Sequence, residues 1–317
     1  MSAYPNSNVL AEKDRRRALN PDRKGAFMNG YAHPEVLNGY AHPEVLVETD
    51  WVKANLGKPG VKVVAIDVDT KAYDAGHIRG AVGFNWQTEL QDQVDRNIIG
   101  KEAFEKLVGG AGISPQDTVI LYGDHNNWFA ANGFWLFKIY GHKDVRLMNG
   151  GRVKWLNEPD KELTTERPNP KPVPYKVTET RPELRALLPD VQQAVKSRAT
   201  NLVDVRSPDE YTGKVIAPPG MTETAQRGGH VPGAKNIPWS TAVAPDGTFK
   251  SADQLRTIYL EQKSVDPNRP TIAYCRIGER SSHTWFVLSY LLGLKNVRNY
   301  DGSWTEYGNL IGAPIEK

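Results

Sequence analysis

At 317 residues the chain is too long for one ordinary hydrophobic core and points to two domains of about 130–150 residues. Lys and Arg number 40 against 37 Asp and Glu, so no uniform field argues for nucleic acid or an anionic membrane as partner. A single cysteine, Cys275, excludes an intramolecular disulfide and a multi-cysteine zinc site, and it fits a reducing, cytoplasmic compartment. No apolar run reaches the roughly 18 residues that span a bilayer, and the N-terminus carries no apolar signal-peptide core. No motif for a metal or organic cofactor is present.

Residues 1–28 are polar and without period, which reads as a disordered lead-in. Asn29-Gly-Tyr-Ala-His-Pro-Glu-Val-Leu37 is then repeated identically from Asn38 to Leu46. Nine residues are too few for a solenoid unit, so this is read as a local duplication. It sets His33 and His42 in identical surroundings, which is no basis for a metal pair. Residues 1–45 are expected to lie outside the fold.

An N-terminal domain is expected over 46–157. Thr49 or Asp50 caps a short helix through Leu56, and Val61-Lys-Val-Val-Ala-Ile-Asp67 has the near-continuous apolar character of a strand covered on both faces. A turn-rich passage through Gly76-His77 leads to a second strand ending at Asn85-Trp86. Helix at 103–108, strand at 118–122, helix from about 128 to 140, strand at 145–147 and helix around 153–156 complete an alternating α/β pattern. Six prolines between Pro159 and Pro182 mark 158–185 as an extended, semi-rigid linker.

From 186 to 317 the first pattern recurs. Asn201-Leu-Val-Asp-Val-Arg206 answers the strand ending at Asp67, Gly229-His-Val-Pro-Gly-Ala234 answers Gly76-His-Ile-Arg-Gly-Ala81, and Thr271-Ile-Ala-Tyr-Cys275 answers Val119-Ile-Leu-Tyr-Gly123. Asn296-Val-Arg-Asn-Tyr-Asp-Gly-Ser-Trp304 answers the passage from Asp144 to Gly151. The chain is thus two copies of one α/β unit, and Gly123 fills the cysteine slot of the first. Only the second copy has a thiol there.

Cys275 ends a buried strand and opens a loop, Arg276-Ile277-Gly278-Glu279-Arg280, before a helix over 282–292 that Ser281 or Ser282 caps and Gly293 ends. Such a loop turns its backbone N–H groups toward the thiol, and the helix mouth adds positive charge. Arg276 and Arg280 act in the same direction, so the expected thiol pKa is lowered. Asp204 is read as an anchor for Arg206, and His77 and His230 as loop-organising hydrogen bonders. Asn126, Asn127 and Trp128 occupy the matching loop of the first copy, where lining the cleft and ordinary capping are both open. Trp304 is read as core, with the site border as the open alternative.

The paired units, each with Gly-His-hydrophobic-x-Gly-Ala, and the closing Asp301-Gly-Ser-Trp304 resemble the tandem-domain rhodaneses, the thiosulfate and 3-mercaptopyruvate sulfurtransferases. The resemblance covers about 47–317. It implies a parallel five-stranded sheet flanked by helices in each domain, an inactive first domain, a catalytic second one and a site at their interface. It also implies that Cys275 takes the outer sulfur of a small donor as a persulfide and passes it to cyanide or a thiol acceptor, such as a thioredoxin-like protein. Related thiol phosphatases carry an arginine six places after the cysteine; here that place is Ser281, and Arg280 comes one earlier, leaving a smaller loop suited to a sulfur atom. Loops that begin Cys-Arg look like those of thiosulfate enzymes, whereas mercaptopyruvate enzymes carry Cys-Gly-Ser/Thr-Gly. The lysine found two places after the cysteine in vertebrate-type thiosulfate loops is replaced by Ile277. The expected site is therefore Cys275 as nucleophile, Arg206, Arg276 and Arg280 on the donor, and Ile277, Gly278 and Glu279 cradling the persulfide, with neither metal nor cofactor. 3-Mercaptopyruvate as donor and a non-catalytic persulfide carrier or sensor are the competing readings.

Overall fold

Short apolar, β-branched runs that bury both faces favour parallel strands joined by helices, and the chain builds two such sheets. The structure is a computed structural model and describes residues 39–218 and 224–317. The first unit runs β1 (Leu46–Val47), α1 (Thr49–Asn55), β2 (Val61–Asp67), α2 (Lys71–Ala75), β3 (Val82–Asn85), α3 (Trp86–Glu89) and α4 (Lys101–Gly110). It continues through β4 (Thr118–Tyr122), α5 (Asp124–Ile139), β5 (Val145–Met148) and α6 (Gly151–Asn157). The second runs β6 (Arg185–Ala186), α7 (Leu188–Ser197), β7 (Asn201–Asp204), α8 (Pro208–Tyr211), β8 (Lys235–Asn236) and α9 (Ala252–Arg256). β9 (Thr271–Tyr274), α10 (Glu279–Phe286), β10 (Val297–Tyr300) and α11 (Ser303–Tyr307) complete it.

The sheet orders are β1-β5-β4-β2-β3 and β6-β10-β9-β7-β8, with every pair parallel. β4 and β9 hold the same central place in their sheets. Both pair across two neighbours, so the loops that follow them open at the carboxyl ends of the strands, where parallel sheets present their sites. Helix α5 is regular only from Trp128, because His125, Asn126 and Asn127 are left-handed at φ 49°, 54° and 66°.

The two units share one apolar core. Phe134 of α5 meets Phe286 edge-on at 4.9 Å and Tyr290 at 5.2 Å, and Trp128 meets Trp239 at 4.8 Å. A buried polar thread crosses the same interface. Trp86 Nε1 donates to Asn132 Oδ1 at 3.0 Å, and Asn132 Nδ2 donates to Ser282 Oγ at 3.0 Å on the second unit. Because each buried polar group along it has a partner, the thread adds directional register to an otherwise non-directional apolar contact.

Two expectations on the chain's organisation differ from what is found. Residues 39–45 are not outside the fold: Tyr40 is buried with its hydroxyl on the Phe249 and Lys250 carbonyls, and the Ala41 and His42 N–H groups bond to Leu291 and Tyr290. The apolar residues Tyr40 and Val45 of the second repeat copy find a core to enter, which a reading of local polarity misses. The first copy, with His33, lies outside the described residues. The stretch 158–185 is extended as expected but is laid onto the first unit, with Tyr175 and Val177 buried and Val177 N–H on Glu105. Among the described residues no helix is long and apolar enough to cross a membrane.

Candidate active site

Cys275 follows β9 at the centre of the second sheet, and its backbone is held from the first turn of α11. Its N–H donates to Ser303 Oγ at 3.1 Å and its carbonyl accepts from Trp304 N–H at 3.1 Å. Gly278 turns the loop at φ +100°, where a Cβ would sit 2.8 Å from Asp301 Cα, so glycine is required both for the backbone and for the space. That turn brings the Gly278 N–H to 3.1 Å from Cys275 Sγ. The helix starts at Glu279, three residues earlier than expected. Ser281 and Ser282 are therefore not caps but first-turn residues, whose hydroxyls donate to the Gly278 carbonyl at 3.1 and 2.7 Å.

The thiol itself is fully buried. Its Sγ donates to Glu279 Oε2 at 3.2 Å, and Ser281 Oγ lies 3.7 Å away. Here the charge expectation is corrected: burial, then the Glu279 carboxylate, push the thiol pKa up, and Arg280 with Ser281 offset this only in part. The reason lies in what the arginines hold. Arg280 Nη1 and Nη2 grip Glu210 of α8 at 2.9 and 3.0 Å, and Arg280 Nε is 3.5 Å from Glu279. Burial alone would raise the Glu210 carboxyl, but the Arg280 hydrogen bonds and charge hold it below the usual carboxylate range.

Arg206 is equally committed. It bonds Asp204 through Nε at 3.0 Å and Nη2 at 2.6 Å, reaches the Gly229 carbonyl at 2.7 Å, and lies 4.6 Å over the Trp304 ring. Asp204 is thus the anchor expected, and Nη1 of Arg206 has no hydrogen-bond partner among the described residues. Arg276 is buried with Nη2 3.9 Å from Glu279 Oε1, and its carbonyl accepts from the Thr305 N–H and hydroxyl. Ile277 is buried in the apolar core shared by the two units. The structure therefore brings Cys275, Gly278, Glu279 and Arg280 together, while Nε and Nη2 of Arg206 are committed to Asp204 and Gly229.

The remaining residues fall into matched pairs. His77 lies 2.9 and 3.0 Å from the Tyr73 and Glu166 carbonyls and stacks on Tyr73; His230 lies 2.9 Å from the Tyr211 carbonyl and stacks on Tyr211. Both organise loops. Asn127 Oδ1 accepts from Gly123 N–H at 3.0 Å and its Nδ2 donates to Met148, whereas Trp128 faces the second unit with the Arg280 guanidinium 5.8 Å over its ring. Trp304 is core and site border at once. Sequence reasoning missed Glu210, Ser303 and Asn299, which accepts from Ser281 Oγ at 2.6 Å. Ser303 and Asn299 lie within the repeated Asn296–Trp304 passage, and Glu210 left a local signal in the Ser207-Pro-Asp-Glu210 capping box, whose two reciprocal bonds form at 3.2 and 3.0 Å.

A model of the rhodanese-like domain matches the chain twice, over residues 48–158 and 183–310. The chain belongs to the rhodanese family. A relative from Haloferax volcanii named "Putative thiosulfate sulfurtransferase" is 53% identical over 277 residues, 86% of this chain and 96% of that one. A relative of the same name from Saccharopolyspora erythraea is 56% identical over 86% of this chain and 95% of its own. A sulfur carrier protein from Thermus thermophilus is 54% identical over 91% and 99%. An anaerobic ergothioneine biosynthesis enzyme from Chlorobium limicola superposes with TM-score 0.77 at 24% identity, over 88% of this rhodanese and 71% of that chain, a likeness of fold alone. This tandem rhodanese stands among the sulfurtransferases.

Proposed function

We propose that this rhodanese is a cytoplasmic thiosulfate sulfurtransferase in which Cys275 is the nucleophile. Its sulfur attacks the outer sulfur of thiosulfate, sulfite leaves, and the persulfide is passed to cyanide or to a thiol acceptor, such as a thioredoxin-like protein. The observation that carries the reading is the Gly278 N–H held 3.1 Å from Cys275 Sγ at the mouth of α10. A donor placed there before reaction stabilises sulfur-borne negative charge without reorganising. The unpartnered Nη1 of the buried Arg206 supports a role on a donor sulfonate, and Arg276 and Arg280, although paired with carboxylates, lie beside the loop where the donor would bind. Ile277, Gly278 and Glu279 line the persulfide. The Cys-Arg opening of the loop and the relatives' name favour thiosulfate over 3-mercaptopyruvate. Side-by-side kcat/KM values with the two donors decide between them, and a clear excess for mercaptopyruvate overturns the preference.

A second reading is favoured by one observation. A fully buried thiol with a raised pKa reacts slowly with small donors, as suits a persulfide carrier loaded by another protein, and a relative at 54% identity bears a carrier's name. The test is intact-mass spectrometry after exposure to thiosulfate. Gain of one sulfur atom that cyanide removes, abolished in Cys275→Ala, is the expected result. Undiminished thiocyanate production by Cys275→Ala would sink the proposal, and loading by a desulfurase but not by thiosulfate would replace it with the carrier.

A further inference from the structure

The geometry points to Glu279 as the group that takes the proton from Cys275 when the thiol attacks its donor. The inference rests on the reading of Cys275 as nucleophile and goes beyond it, since nothing in that reading says where the proton goes.

Three observations carry it. First, Glu279 Oε2 already accepts the S–H hydrogen bond at 3.2 Å while Gly278 N–H donates to the same sulfur, so the thiol is a donor on one side and an acceptor on the other. This is the ground-state arrangement of a proton about to be transferred, within reach of its base. Second, both partners are sealed, with Cys275 at 0% and Glu279 at 2% exposure. A bulk-solvent base has no path to the proton in this state. Third, the buried charges balance only while the proton stays inside. Glu279, which bonds the thiol, lies 3.9 Å from Arg276 and 3.5 Å from Arg280, and Arg280 in turn holds Glu210 of α8. Asp301, which packs against Gly278, is neutralised by Arg185 at 2.9 Å, and Asp204 by Arg206. Two carboxylates against two guanidiniums leave the thiol's immediate surroundings neutral. Losing the proton to solvent would strand one unmatched negative charge in a desolvated site, whereas moving it to Glu279 leaves the total unchanged.

The raised pKa of the thiol gives the arrangement its purpose. A thiol that keeps its proton at neutral pH needs an acceptor at the moment of attack. As Sγ bonds to the outer sulfur of thiosulfate, the S–H proton passes to Glu279 Oε2. The donor's sulfur–sulfur bond breaks with its electron pair on sulfite, and Glu279 delivers the proton to that leaving group. One sulfur–sulfur bond forms, one breaks, and no outside oxidant or reductant enters.

The test is the rate of persulfide formation in a single turnover, read by quenched mass spectrometry from about pH 6 to about pH 9 in wild type, Glu279→Gln and Glu279→Asp. An internal acceptor is expected to give a flat wild-type profile, a loss of about 10²-fold or more at neutral pH in Glu279→Gln, and partial recovery in Glu279→Asp. In Glu279→Gln the rate should instead climb about tenfold per pH unit, as pre-ionised thiolate becomes the reactant. Removing the neighbouring negative charge should also shift iodoacetamide alkylation of Cys275 to lower pH, which checks that the charge acts on the thiol, while the pH profile of persulfide formation separates a proton acceptor from a bystander charge. Should Glu279→Gln fail to fold, the solvent isotope effect on the wild-type step decides: a normal effect supports a proton in flight, and an inverse one overturns it. Equal rates and flat profiles in wild type and Glu279→Gln overturn the assignment of Glu279 alone. No persulfide in wild type with any donor overturns the nucleophile reading beneath it.

Discussion

His283 lies on α10, eight residues beyond the thiol, fully buried, and neither ring nitrogen has a hydrogen-bond partner among the described residues. Its ring stacks on Phe249 at 4.8 Å and meets Trp239 edge-on at 5.7 Å. Burial pushes its pKa down to about 3. The unfolded chain takes up this proton near pH 6.5 and the folded chain only near 3, so the unfolded state binds more protons in between and stability falls as pH drops through that window. Integrating, this one side chain costs the fold about 2 kcal/mol at pH 5 and about 3 kcal/mol at pH 4, relative to neutral pH. His283→Phe keeps an aromatic ring among aromatic neighbours and removes the titration. Urea midpoints of wild type and variant, measured at about pH 7.5 and about pH 5 with slopes checked for equality, give the comparison. The variant is expected to gain about 2 kcal/mol on wild type between the two pH values. Any constant offset, from relief of the bare nitrogens or from the slightly larger ring, cancels in that difference. The same gap at both pH values would refute the argument, because it would mean His283 is protonated in the folded state or reaches solvent.

Two more outcomes follow from the first unit. Asp67 is buried, and burial, helped by the charge of Asp124 and opposed by the Asp124 N–H, pushes its carboxyl up to about 7. The folded state then holds a proton that the unfolded chain releases near 3.8, so stability falls as pH rises from about 4 to about 7, by up to about 4 kcal/mol. Asp67→Asn, which can still accept the Asp124 N–H, should remove that slope and melt higher than wild type at pH 8 but not at pH 4; parallel melting curves would count against it. A Cβ on Gly123 would sit 2.4 Å from the Ile66 carbonyl, so Gly123→Ala is expected to lose about 1–3 kcal/mol in a denaturant titration. Gly123→Cys should lose as much and gain no persulfide; a thiosulfate-dependent mass shift on that variant carrying also Cys275→Ala would show the reasoning wrong.

Strands β2, β4 and β9 were readable residue by residue, since a parallel strand covered on both faces must be apolar almost throughout and is bounded by turn residues. The two-residue edge strands β6 and β8 carry no such signature, being too short for any period to register. Glycine placement was legible for a local reason: Gly293, at φ +71°, ends the segment that continues α10, as its position after an apolar run implied. The position of the thiol could be inferred, but not its electrostatics. Neighbours at one and five places along the chain suggested a cation-rich setting. The partner that occupies Arg280, Glu210, lies 70 residues away in sequence, and only the packing of α8 on α10 brings it there. Pairings at that range are what one sequence cannot supply, and they decide the sign of a buried pKa shift.

At the place of the thiol the first unit differs from the second in its backbone as well as in lacking the cysteine. After β9 the chain needs a single left-handed residue, Gly278, to aim an N–H at the sulfur. After β4 it takes three in succession, His125, Asn126 and Asn127, and asparagine is among the few side chains that tolerate this. The Gly123 N–H is then used by Asn127 Oδ1, and Asn127 Nδ2 closes onto the Met148 carbonyl. Gly151, at φ +55°, is required beside it, for a Cβ there would lie 2.5 Å from the same Oδ1. The loop thus satisfies its polar groups internally, in the position where the second unit leaves one directed at a sulfur atom. What that unit contributes is the other wall: Trp128 against Trp239 and Arg280, and Asn132 bonded to the first turn of α10. The copy that lacks the cysteine therefore packs against the helix whose mouth faces the thiol, and loosening Asn132 or Trp128 should disturb Cys275 without touching it.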